Sequence, residues 1–139
     1  MEETFNYDDG STRATITVCT STVLNGIKHD MLIQSMFDEL GPMTNEYEDK
    51  EKMAIRIAKM NIWPACYAGS SSISIETKKA DKRSVWKPLE LNSDTFMQLP
   101  EILSEKWISV VFKLNPHWNP NKIELPEEEE KKASVPSSG

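Results

Sequence analysis

From Thr4 to Val18 apolar and polar positions alternate with a period of two. Phe5 and Tyr7 precede the turn-forming Asp8-Asp9-Gly10-Ser11, and Ala14, Ile16 and Val18 follow it. Alternation around Asp-Gly predicts a β-hairpin, because glycine accepts the positive φ that such a turn requires. The period then lengthens. Val23, Leu24, Ile27, Met31, Leu32, Phe37 and Leu40 recur at helical spacing, with Thr20, Ser21 and Thr22 as hydroxyl caps and Gly41-Pro42 as the stop. A polar, acidic stretch from Met43 to Asp49 leads to a second helix, whose stripe is Met53, Ile57 and Met60 and whose end is set by Ile62-Trp63-Pro64.

Gly69-Ser70-Ser71-Ser72 reads as a flexible joint. Beyond it Ile73 and Ile75 alternate with serines, a charged loop runs from Lys78 to Arg83, and Leu89 and Leu91 alternate with Pro88 and Glu90. That pattern predicts a second hairpin in which Pro88, lacking an N–H, keeps its strand at an edge. Asn92, Ser93 and Asp94 cap a short turn through Leu99. Pro100 at N1 and Glu101 in the first turn open a last helix whose face is Leu103, Trp107, Val110, Val111 and Leu114. Trp107 is expected to be buried there, between Leu103 and Val111. From Asn119 onward the prolines, the run Glu127 to Glu130 and a Ser/Gly terminus predict a disordered acidic tail. The fold class is therefore α+β: one globular domain over 3–118, two β-hairpins packed with three to four helices, then a flexible tail over 119–139.

Charge narrows the functional classes. Sixteen Lys and Arg against 22 Asp and Glu give a net charge of −6, which opposes a whole-domain grip on nucleic-acid phosphates. The one basic patch, Lys78, Lys79, Lys82, Arg83 and Lys87 with Trp86 nearby, is interrupted by Asp81 and reads as a solvated hairpin loop. No apolar run approaches the roughly 20 residues a membrane span needs, and Met1-Glu2-Glu3 lacks the basic start of a signal peptide. A soluble protein made inside a cell is expected. Cys19 and Cys66 are read as reduced, packed residues.

Chemistry-bearing constellations are sparse. His29-Asp30 is the pair that a metal-dependent hydrolase would use to hold a metal and activate water, but His117, the other histidine, has no acidic neighbour. The pair reads as the polar face of the first helix, and no catalytic, cofactor-binding or metal-binding residue is assigned. Methionines and aromatics stand out instead. Met31, Met36, Met53 and Met60, together with Ile108, Phe112 and Trp118, are the candidate partner-binding residues, since flexible thioethers and broad apolar faces suit helices of varied sequence.

Leu99-Pro100-Glu101, Trp107 and Leu114-Asn115-Pro116-His117-Trp118, preceded by the Asp-Asp-Gly hairpin, Gly26-Ile27-Lys28-His29-Asp30-Met31-Leu32 and Asn61-Ile62-Trp63-Pro64, resemble the small tail assembly chaperones of long-tailed bacteriophages. The resemblance covers most of Phe5 to Trp118. It implies a non-enzymatic protein of the host bacterial cytoplasm that binds the tape-measure protein, a long apolar helical rod, and keeps it soluble during tail assembly. Tail-tube protein and a second copy of the chain are further implied partners, with neither nucleic acid nor membrane among them. Such chaperones are often extended by a programmed frameshift, and Glu130-Lys131-Lys132 can be spelled with a slippery heptamer. The rival expectations are a structural tail completion or connector protein and a small metal-dependent hydrolase.

Overall fold

The alternation at the N-terminus folds as read. In the computed structural model, which describes residues 1–42, 49–78 and 85–119, β1 (Glu2–Asp8) and β2 (Thr12–Cys19) pair antiparallel from Glu2 with Cys19 to Asp8 with Arg13. Gly10 at the turn has φ 92°, a conformation that side chains with a Cβ avoid. The Asp9 carboxylate accepts the N–H groups of Ser11 and Thr12, both at 2.8 Å, so the turn's own donors are satisfied without the ladder.

The second hairpin does not stand apart from the first. β3 (Ser70–Lys78) pairs with β2, and β4 (Trp86–Pro88) with β3, giving one antiparallel sheet in the order β1-β2-β3-β4. Ser70, Ser71 and Ser72 therefore belong to a strand and are not a flexible joint. Gly69 just before them is required by packing: a Cβ there would lie 2.8 Å from the Ala65 carbonyl oxygen and 3.1 Å from the Trp118 ring. Pro88 lies in an edge strand, as expected, but the paired residues are 86–88, so Leu89 and Leu91, expected within the strand, lie past it.

Four helical stretches, one of them running through a π-helical turn, and a 3₁₀ turn make up the rest of the secondary structure among the described residues. α1 (Val23–Leu40) begins at Thr22, whose side chain forms a reciprocal capping box with Asn25, and ends at Gly41 with φ 75°. The second helix is not stopped by Pro64. α2 (Lys50–Ile57) runs through a π-helical turn, Ala58–Ile62, into α3 (Trp63–Ala68). The Trp63 N–H bonds the Ala58 carbonyl, five residues back. This wider turn lets the chain pass a proline, which has no N–H to give and would crowd the carbonyl four residues before it. After β4, Asn92 caps the short α4 (Ser93–Phe96), and Pro100, as the N-cap, precedes α5 (Glu101–Leu114). A 3₁₀ turn, Pro116–Trp118, closes the described chain.

Burial alternates along β2, with Thr12, Ala14, Ile16 and Val18 inward and Arg13 and Thr15 outward, so the helices cover one face of the sheet. The core formed there runs from Phe5 to Trp118 and includes Ile16, Val18, Cys66, Leu103, Trp107 and Val111. Trp107 is fully buried, as its place between Leu103 and Val111 requires, and its indole N–H donates to Ser70 Oγ at 2.9 Å. Both cysteines are free; Cys66 is buried and Cys19 half-buried. The predicted disordered tail, apart from Asn119, lies outside the described residues, as do 43–48 and 79–84. No described helix is long and apolar enough to cross a membrane.

Candidate functional site

The seven residues singled out in the sequence do not form one surface. Met36, Phe112 and Trp118 are buried in the core. Met60 and Ile108 are half-buried against it, and Met53 is half-buried on α2. Met31 alone is well exposed, at 67%. The apolar residues of α1 explain why. At about 100° per residue, Val23, Leu24, Ile27 and Met31 fall within an arc of about 100°, while His29, Leu32 and Met36 fall on the opposite side. The structure turns the second arc inward: Met36 and His29 are buried and Leu32 packs on the core. Val23 at 82%, Leu24 at 61%, Ile27 at 50% and Met31 are left facing solvent.

Polar residues fix this rotation. Asn25 Nδ2 donates to the Ala68 carbonyl at 3.0 Å, anchoring the first turn of α1 to the end of α3. His29, expected on the polar outer face, is instead buried with its ring stacked on Trp118, centroids 4.3 Å apart and planes within 3°. Fully buried Asn115 completes the fastening. Its Oδ1 accepts the Ser21 N–H at 2.7 Å and its Nδ2 donates to the Cys19 carbonyl at 2.9 Å, so the end of α5 holds the junction between β2 and α1. His117 Nε2 lies 3.2 Å from Ser21 Oγ at the same junction. With the N-terminal turns of α1 held by Asn25, His29 and Asn115, their aliphatic side chains have nowhere to go but outward.

Burial holds the His29 imidazole below its ordinary value, against the opposing pull of Asp30, whose carboxylate lies 3.5 Å from Nδ1. His117 adds to the lowering by charge. Asp30 itself is exposed, so the His29-Asp30 pair reaches from the core to the surface. Among the described residues no group of three His, Cys, Asp or Glu side chains is placed to hold a metal ion. Burial also pushes the Cys66 thiol well above its ordinary range, which keeps it protonated and a poor nucleophile. Of the basic patch, Lys78, Trp86 and Lys87 are described: the Lys78 ammonium lies 4.9 Å from the Trp86 ring, which the Arg13 guanidinium of β2 also approaches, at 4.2 Å, Lys87 is exposed, and Arg13 pairs with Glu76 at 2.6 Å.

The strip of Val23, Leu24, Ile27 and Met31 is therefore the feature most suited to a partner. Of its four members only Met31 was among the candidate partner-binding residues; helical spacing alone does not say which way Val23, Leu24 and Ile27 face. The signal that separates them is Asn25 and His29, polar residues at i and i+4 that mark the opposite face. Known protein families, curated proteins and solved structures include no match to this chain.

Proposed function

We propose that the protein is a non-enzymatic tail assembly chaperone that binds the tape-measure protein in the cytoplasm of a phage-infected bacterium. The observation that carries this reading is the outward strip of α1, where four aliphatic side chains on two and a half turns are left in water. Contiguous apolar side chains on a surface mark a docking site. A single exposed strip on a helix is shaped to receive another helix, with anchors at i, i+4 and i+8, here Val23, Ile27 and Met31. The short-motif resemblance of Leu99 to Trp118 and of the α1 segment supplies the partner's identity.

The mechanism is shielding. A long apolar-striped helix exposes surface that costs roughly 25 cal/mol for each Å² left in water, and unshielded copies associate with one another. A strip containing a flexible methionine covers successive segments of varied sequence at modest affinity each, which allows tail-tube subunits to displace the bound copies. The net charge of −6 keeps the loaded complex in solution.

Co-expression tests the proposal. A tape-measure protein from the same genome should appear in the soluble fraction and co-purify with it, and mass spectrometry of purified virions should find the tape-measure protein without this chain. Its presence in stoichiometric amounts in virions would assign it to the tail structure instead.

A further inference from the structure

The sheet has an opening that the α1 strip does not explain. β3 is nine residues long, but β4 pairs only with Glu76, Thr77 and Lys78. Past Pro88 the Leu89 N–H still donates to the Ile75 carbonyl at 2.8 Å, and then Thr95 Oγ1 takes the Glu90 carbonyl and Asn92 caps α4, drawing the chain off the sheet. Main-chain groups alternate sides along a strand. The Lys78 N–H points to β2, where it donates to Ser11, and the Ile75 carbonyl points to β4. Ile73 therefore turns its N–H and C=O to the β4 side, where no described strand meets them.

Beside this half-edge lies a groove of about 390 Å³. Ile73, Ile75, Leu89 and Leu91 line it together with the serines 70–72, so its wall is mixed polar and apolar, and Lys28 of α1, exposed and with no ion pair among the described residues, is the one charged side chain in that lining. Edge strands exposed in soluble proteins are normally blunted by charge. β1, the other edge, carries Glu2, Glu3 and Asp8, whereas Ser70 to Ile75 carries none. With the Ile75 carbonyl taken by Leu89, the five residues from Ser70 to Ser74, at about 3.3 Å each, leave an open edge of about 17 Å, the length of a short strand.

We infer that the open half of β3 is a second protein-binding site, which adds an extended acidic–apolar segment of a partner protein as a strand. Ile73 supplies the main-chain pairing, the groove takes the partner's alternate apolar side chains, and Lys28 meets its carboxylate. The lone lysine selects the acidic partner: a basic segment would be repelled there and a neutral one would gain nothing from it. The site is independent of the α1 strip, and either can fail without the other.

The test uses the full chain and an acetylated, amidated heptapeptide alternating leucine and glutamate, followed by NMR and amide hydrogen exchange. The peptide should slow exchange of the Ile73 N–H, an analogue N-methylated along its pairing edge should lose binding, and Lys28→Glu should weaken binding about fivefold. No protection at Ile73, or equal binding of the methylated analogue, would overturn the inference. Protection of Ile73 without peptide would overturn it too: if lost on deleting 120–139 it assigns the groove to the chain's own end, and if it rises with protein concentration, to a second copy.

Discussion

Trp107 and His29 show how far a single residue can be read. Trp107 sits amid a clean helical stripe, so its burial follows from Leu103 and Val111, and its neighbours Phe96, edge-on at 5.7 Å, and Ser70 complete the site. Trp107→Ala should cost about 3–5 kcal/mol by leaving a large cavity, seen as a lower denaturant midpoint at unchanged slope; an unchanged midpoint would mean the ring contributes nothing to the core. His29 was not legible, because the partner that buries it, Trp118, lies far along the chain. Its imidazole is held below 6.5 by burial, so the unfolded chain takes up this proton first as pH falls. The contribution of His29 to stability is therefore whole above 6.5 and lost as pH drops from there through the folded-state value. Unfolding free energies should fall as the pH is lowered below 6.5, and His29→Phe, which keeps a ring against Trp118, should flatten that slope. Equal slopes in the two proteins would contradict the buried neutral imidazole.

Elements were legible where the signal is local and lost where it is tertiary. The caps at Thr22 and Asn92, the Asp-Gly turn and the edge role of Pro88 are chemistry within a few residues, and each appears in the structure. Pro64 misled because a π-helical turn can absorb a missing N–H, and nothing in the composition of Ala58 to Ile62 announces one. The serines of β3 misled because strand formation there depends on pairing with β2. α1 shows the limit most clearly: its spacing identifies a helix with apolar residues on two arcs, but the choice of inward arc is made by contacts with Ala68, Trp118 and Asn115. Asn115 is the sharpest of these to perturb. Asn115→Ala removes one acceptor and one donor from a buried site, leaving the Ser21 N–H and Cys19 carbonyl unpaired, and should cost about 1–3 kcal/mol for each group left unsatisfied. Thermal denaturation measures it, and a melting temperature equal to the parent's would show that the junction is held by other contacts.

Across the whole molecule, the α+β class, the two hairpins and the number of helices could be read from periodicity alone. That the hairpins fuse into one four-stranded sheet could not, since strand order is fixed by long-range pairing. The same division applies to function. A shortage of metal- and nucleophile-bearing patterns and a surplus of methionine pointed towards a binding protein, but most of the methionines chosen serve the core and the exposed strip is largely aliphatic. The central claim is that this strip shields the tape-measure protein, and the most direct test compares the soluble fraction of that protein when co-expressed with the parent chain and with Ile27→Glu/Met31→Glu. Both positions face solvent, so the variant should melt within a few degrees of the parent while the tape-measure protein moves to the pellet. A stably folded variant that keeps it as soluble as the parent does would contradict the claim.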